Sequence, residues 1–345
     1  MEIGSEFEWN RTFLFNKKTN TNGKEINSSV WTFSGRTSIE VVLKNLEAVN
    51  KAILPSYCCD SMIDPFRKAG IEVCFYDVNY DEKADININI NIPDDVDVFL
   101  WCNYFGYRSQ MPDITEFKQQ GGIVIEDITH SLLSDNIYDI QSDFLVASIR
   151  KWLPVLCGGY CASVNSALTK FPMVYPAEAF LNKKRSAMKL KNEYLADNDK
   201  KKKSVFLAMF SETNEWLSNN YTNLKIDKES ERIILQSDFD EIKQIRKRNA
   251  KLLHEGLKKC NYIKTLFPIE LMECPLFVPI IVENGKRDFI RKRLIENDIY
   301  CPVHWPIPEG CQSNLYDIEL SLVCDQRYDE KDMQRIVDVL CDGIR

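Results

Sequence analysis

The chain has 345 residues, 44% hydrophobic and 28% charged; at about 150 residues per domain this leaves room for two domains or one large α/β unit whose core needs no staples. Its 44 Lys and Arg are outnumbered by 51 Asp and Glu, a net charge of −7, so the acidic whole gives no electrostatic basis for sequence-independent nucleic-acid binding. The opening MEIGSEFEWN lacks the basic-then-apolar build of a secretory signal, and no run approaches the about 18 apolar residues of a membrane span.

Twelve cysteines are spread along the chain. Without an export signal, the expectation is reduced thiols in a cytoplasmic protein. Cys58-Cys59 and Cys157-x-x-x-Cys161 are not zinc spacings, and three histidines (His130, His254, His304) argue against a multi-histidine metal site.

In chain order, short apolar runs bounded by turn residues recur at 51–54, 72–76, 96–102, 123–125, 144–148 and 160–162, with helix-length segments at 37–48, 61–68 and 112–119 between several of them. Strand-helix alternation of this kind predicts a mostly parallel sheet with covered faces, and ligands in such sheets bind at the carboxyl ends of the strands. The segment DINININI at 85–92 alternates with period two and fits either a half-exposed strand or a variable connector. From 176 to 220 the pattern is helical and charged. The spacing then predicts an amphipathic helix over 240–260, with Ile242, Ile245, Ala250, Leu252, Leu253 and Leu257 mostly on one face. A strand at 275–282, a helix at 287–296, a strand at 319–324 and a closing helix at 330–340 read as a smaller α+β unit. The predicted division is a large domain over 1–235, with an N-terminal arm over 1–30, and a small C-terminal domain over 236–345.

Three groups carry chemistry only in combination. GIVIED (122–127) is a buried-looking strand delivering carboxylates at its end, followed by Thr129, His130 and Ser131; alone, it reads as a strand ending in an acidic turn. DFLVASIRK (143–151) is another strand, ending with Ser148 and Lys151; a lysine there is ordinarily surface charge. The apolar Trp152-Leu153-Pro154 and Gly158-Gly159 that follow imply an enclosed setting, where desolvation lowers a lysine's pKa. WTFSGRTSI (31–39) is a glycine-containing turn opening a helix, whose N–H groups suit a phosphate or whose Ser34 or Thr37 is a plain cap. In sequence they offer partners for a phosphate, a pyridine nitrogen and an aldehyde, which together describe pyridoxal phosphate (PLP).

With these motifs the sequence resembles the fold-type I PLP enzymes, and within them the DegT/DnrJ/EryC1/StrS family, many of whose members transfer amino groups to nucleotide-linked keto sugars. The likeness spans about residues 30–163, with echoes at 301–306 (CPVHWP) and 321–328 (SLVCDQRY). It implies that Lys151 bonds covalently to the cofactor and that Asp127 pairs with the pyridine nitrogen. His130 falls beside the ring hydroxyl, and Ser148, Gly35, Arg36, Thr37 and Ser38 fall on the phosphate side, with Arg36 a departure from the family pattern. Cys59, in PSYCC, stands where the family often supplies a stacking aromatic, a role that is missing here or taken by Tyr57 or Tyr104. Tyr104 and Arg327 are the substrate-binding candidates. Arg327 would serve the donor carboxylate, its alternative being an ordinary surface ion pair.

The fold so implied is an α/β fold-type I PLP transferase, its large domain built on a mostly parallel central sheet and followed by a smaller α+β domain. The function implied is an aminotransferase using PLP, with glutamate as donor and a nucleotide-linked keto sugar as acceptor, acting as a cytoplasmic homodimer with no nucleic-acid, membrane or metal partner. Two alternatives stay open: other PLP chemistry such as deoxysugar dehydration, and a catalytically silent PLP-binding or regulatory protein. The basic stretch 182–203 reads either as a docking surface for a nucleotide diphosphate or partner subunit, or as a solvated helix and loop. His304-Trp305 is a pocket lining or a packed aromatic corner, and His254 a structural residue.

Overall fold

The computed structural model describes residues 2–9, 26–82, 85–135, 138–139, 141–260, 262–283 and 285–341. Most of the expected N-terminal arm, residues 10–25, lies outside the described residues. The chain begins with β1 (Ile3–Gly4) and β2 (Ser28–Thr32), then α1 (Gly35–Asn45), β3 (Lys51–Pro55), α2 (Asp60–Lys68), β4 (Glu72–Asp81), β5 (Asp85–Asn89), β6 (Val98–Cys102), α3 (Thr115–Gln119), β7 (Ile123–Asp127), β8 (Phe144–Ser148) and β9 (Gly159–Ser163). Strands β2 to β9 form one eight-stranded sheet in the order β2-β9-β8-β7-β6-β3-β4-β5. Its centre, β4-β3-β6-β7-β8, is parallel throughout, while β9, β2 and β5 join antiparallel. β6 (VFLWC) is buried at every position, as a strand covered on both faces must be. The DINININI segment resolves in favour of a strand: β5 pairs antiparallel with β4 along the sheet edge.

After the sheet come α4 (Glu178–Asp197) and α5 (Lys200–Asn219), which pack against each other, then α6 (Lys228–Gln236) and α7 (Phe239–Leu257). Short β10 (Lys264–Thr265) leads to β11 (Phe277–Ile281), α8 (Arg287–Glu296), β12 (Ile299–Tyr300), α9 (Leu315–Ile318), β13 (Glu319–Val323) and α10 (Glu330–Cys341). β10, β11 and β13 make a separate antiparallel sheet, and β1 pairs parallel with β12. On α7, Ile242, Ala250, Leu253 and Leu257 are buried while Ile245 and Leu252 are half-buried. The buried face also carries Arg246 and Asn249, which the apolar pattern could not flag. Arg246 lies over the Trp152 ring at 4.5 Å and donates to Gln326 Oε1 and the Leu276 carbonyl; Asn249 donates to the Tyr328 carbonyl.

Two expectations need correction. Cys260 and Cys341 form a disulfide, while ten other cysteines are free. The pair lies at the ends of α7 and α10, which pack together, and their sequence separation of 81 left no local spacing to read. The basic stretch 182–203 is not uniformly solvated either: Lys184 and Lys191 are buried. Lys184 pairs with Glu6, and Lys191 with Glu8 and the Gly4 carbonyl. A helical charge run looks solvated until an acidic segment from elsewhere covers it. No helix among the described residues is long and apolar enough to cross a membrane.

Candidate active site

Because β6, β7 and β8 run parallel, their carboxyl ends reach one edge together, and β7 delivers Asp127 and β8 Ser148 to the same place. Successive side chains on a strand face opposite ways, so Asp127 and Glu126 part company. Glu126 turns to a separate polar pocket, where it accepts from Asn103 and Ser142 and from the Asp139 N–H, and burial pushes its pKa up to about 7. After β8 a single 3-10 turn (Ile149–Lys151) presents Lys151. Trp152 fixes that turn: it is fully buried, its indole N–H donates to the Thr129 carbonyl at 2.7 Å, and its own carbonyl accepts from Gln326 Nε2 at 2.6 Å.

The cavity at this edge has a volume of about 220 Å³ and is lined by Gly35, Arg36, Cys59, Asp127, His130, Ser148, Arg150, Lys151 and Trp305, among others. A larger chamber of about 490 Å³ adjoins it and shares Arg36, Arg150, Lys151 and Leu217 with it. Lys151 is accessible, but from these cavities, with protein packed densely around it. Among the described residues its side chain has no hydrogen bond or ion pair. Burial lowers its pKa, as does neighbouring Arg150, while Cys59, Glu6 and Asp127 pull the other way. Asp127 is buried, which raises its pKa; Lys151 and the Thr129 N–H, which donates to Oδ1 at 2.8 Å, oppose the rise. The same desolvation acts on both partners of a facing acid and base.

His130 is also buried, and its Nδ1 accepts the Phe105 N–H at 3.1 Å. That bond assigns the proton to Nε2, and burial together with the Lys151 charge holds the pKa down at about 3, so the ring stays neutral. The ring stacks on Trp305 with centroids 5.8 Å apart. Trp305 thus lines the cavity, whereas His304 is packed behind it, with Nδ1 2.8 Å from Ser321 Oγ. His254 lies apart from this site, its Nε2 2.7 Å from the Tyr107 hydroxyl.

At the phosphate-suited turn, Ser34 caps α1 by accepting from the Thr37 N–H. The next two N–H groups, of Gly35 and Arg36, have no partner among the described residues, as expected for a helix entrance. Thr37 and Ser38 sit deeper: Thr37 Oγ1 donates to the Tyr221 carbonyl and Ser38 Oγ pairs with Thr32 Oγ1, so their hydroxyls shape the entrance without lining the cavity. The Ser148 hydroxyl lines it and has no partner among the described residues. Arg36 also lines it, with Nε 3.2 Å from Asp64. Gly159 lets β9 pass close beside the entrance, since a Cβ there would lie 2.3 Å from the Ser34 carbonyl oxygen.

The remaining sequence candidates divide. Cys59 borders the cavity, its Sγ 2.7 Å from Ser61 Oγ. Tyr57 and Tyr104 are buried behind it: Tyr57 donates to Glu319 Oε2 at 3.2 Å and Tyr104 to the Tyr57 carbonyl at 2.6 Å. Arg327 lines the larger chamber but is neither at the surface nor free. Its guanidinium is held by Asp325 at 2.8 Å, by Glu8 at 3.3 Å and by the Ser5 and Glu6 carbonyls. Sequence reasoning missed Arg150, because a basic residue after a strand looks like surface charge; its neighbour Lys151 was the available signal.

No family model matches the sequence, and no curated protein matches it. Its fold, however, is similar to that of several solved aminotransferases. Helicobacter pylori PseC, an aminotransferase involved in the biosynthesis of pseudoaminic acid, matches with a TM-score of 0.67 over 99% of each chain at 14% identity. The aminotransferase TlmJ from Streptoalloteichus hindustanus matches at 0.65 over 91% of this chain and 85% of that one, at 14% identity. NtdA from Bacillus subtilis, solved with bound cofactor PMP, matches at 0.62 over 91% of this chain and 74% of that one, at 16% identity. At these identities the likeness establishes the fold, an α/β architecture with a large, mostly parallel sheet, as the sequence predicted.

Proposed function

We propose that the protein is a PLP-dependent aminotransferase that moves an amino group, with glutamate as donor, to a nucleotide-linked keto sugar. The observation that carries this reading is the meeting of Lys151 and Asp127 in one cavity beside the α1 entrance. The residues fit the cofactor: an amine, a buried carboxylate, the Ser148 hydroxyl and two helix N–H groups answer its aldehyde, ring nitrogen and phosphate, and among the described residues the amine, the hydroxyl and the two N–H groups have no partner. Bound there, PLP supplies an electron sink for the carbon that carries the amino group.

The residues divide the work as follows. Asp127, fixed in advance by the Thr129 N–H, would hold the ring nitrogen through a charge-assisted hydrogen bond. Lys151 would anchor the group through its amine and, when not so engaged, would move the proton as general acid and base. Its lowered pKa leaves more of the amine unprotonated at neutral pH. Neutral His130 would offer its Nε2–H to the group, Cys59 would border it, and Ser148, Gly35 and Arg36 would receive its phosphate. Tyr57, Tyr104, Thr37 and Ser38 support this lining from behind. Residues 1–235 carry the cofactor and 236–345 form the smaller closing domain. The working unit is a cytoplasmic homodimer, supported by the run Phe171, Met173, Val174 and Tyr175, each 43% exposed or more.

The test is spectroscopic. Protein purified with or reconstituted with PLP absorbs in the visible, and that band bleaches on adding glutamate. A colourless protein that takes up no cofactor overturns the reading. Bound cofactor that no amino donor bleaches favours instead a silent PLP-binding protein.

A further inference from the structure

Arg327 cannot serve a substrate carboxylate without giving up Asp325 and Glu8, the buried acids that already hold it. Another arginine, Arg150, is open. Arg150 makes no hydrogen bond or ion pair among the described residues, and its Nε is buried without a partner. It stands at the junction of the two cavities and lines both, one residue before Lys151. Three cations repel it, Arg36, Lys151 and Lys184, and the acid that attracts it, Glu6, is itself taken by Lys184 and, at 2.6 Å, by Asn214 Nδ2.

A partly desolvated guanidinium without a counter-ion is unfavourable until an anion arrives, and its planar fork matches a carboxylate. In an α-amino acid the carboxylate is two bonds from the amine. An anchor for it must therefore flank the point where the amine meets Lys151, which is where Arg150 stands. Building on the aminotransferase reading, we propose that Arg150 grips the carboxylate of the amino donor at the junction of the two cavities, the role that Arg327 is not free to fill.

The same fork would also suit a phosphate, so the test separates the two oxyanions. Glutarate, a dicarboxylate without an amine, is titrated calorimetrically into PLP-loaded wild-type, R150Q and R150K protein, and cofactor retention is measured by dialysis. Losing a charge-assisted pair costs about tenfold to a hundredfold in affinity. R150Q should weaken glutarate by that factor and raise the KM for glutamate more than it lowers kcat, with cofactor retention unchanged; R150K, which keeps the charge but not the fork, should fall between. Unchanged glutarate affinity in both variants overturns the proposal. So does loss of cofactor from R150Q with glutarate affinity of the loaded fraction intact, which would assign Arg150 to the phosphate. If R150Q does not fold, R150K alone decides by the same readings. A wild-type protein that takes no PLP overturns the aminotransferase reading, and glutarate binding lost in R150Q would then still uphold an oxyanion site.

Discussion

Lys151 and Asp127 influence each other across the cavity in opposite senses, the acid favouring the charged amine and the amine the charged acid, while burial disfavours both charges. In the proposed mechanism Lys151 is both the anchor and the proton carrier, so Lys151→Ala should lower transamination by at least about 10²- to 10⁴-fold in a protein whose far-UV circular dichroism matches wild type; retained turnover would refute that role. Asp127→Asn keeps the shape and the Thr129 contact but loses the charge, and kcat should drop about 10- to 100-fold. Glu319 provides a test of stability instead. It is fully buried, with Ser321 and Tyr57 donating to it, and burial pushes its pKa from an ordinary 4.5 up to about 8. Between those values the native state keeps a proton that the unfolded chain has lost, so this group's contribution to stability declines as pH rises from about 4.5 and levels off above about 8. Glu319→Gln cannot ionise; its thermal midpoint should exceed wild type near the top of that range and converge with it at the bottom. Parallel midpoint curves would show that Glu319 ionises normally in the fold.

Strands β7 and β8 were legible because each is a short apolar run ending in the residue that matters, and a parallel pairing carries both ends to one edge. The N-terminal segment was not. In sequence MEIGSEFEWN is simply acidic, yet β1 pairs with β12 and its acids meet cations far along the chain: Glu2 with Lys203 at 2.6 Å, Glu6 with Lys184, Glu8 with Lys191 and Arg327. Such pairings depend on which helix face lies beneath the segment, and periodicity within one element says nothing of that. For the same reason the apolar pattern of α7 did not flag Arg246 and Asn249. Removing Glu6 leaves Lys184, only 4% of whose side chain is exposed, as a buried charge without its acid. Full burial of an orphaned charge costs about 3–5 kcal/mol; since Glu6 is one-third exposed, solvent screening reduces the expected loss for Glu6→Ala to about 1–3 kcal/mol. Denaturant titration should show Lys184→Met recovering most of that loss in the double variant. If the two losses simply add, the pair is not coupled.

At the scale of the whole molecule, the two larger sheets are joined at the turn that carries Lys151. Arg246 and Gln326, both from the second half of the chain, bracket Trp152, one through the ring face and the other through the carbonyl. The second half therefore bears on the orientation of Lys151, an arrangement that alternation of strands and helices could suggest only as two neighbouring units. The Cys260–Cys341 disulfide lies outside that junction, at the far ends of α7 and α10. It closes the 81-residue separation that contains the smaller sheet. A cross-link over a loop of this kind acts chiefly on the unfolded chain, with about 2–4 kcal/mol typical. Cys341→Ser should lower the unfolding free energy by that amount, and a thiol reductant should lower wild type equally while leaving the variant unchanged. Because neither cysteine lines either cavity, PLP retention should be the same in both proteins below their transitions. Equal denaturant midpoints for wild type and variant would mean that the cysteines are not bonded in solution, whereas a variant that loses cofactor while still folded would mean that the C-terminal helix communicates with the turn at Trp152.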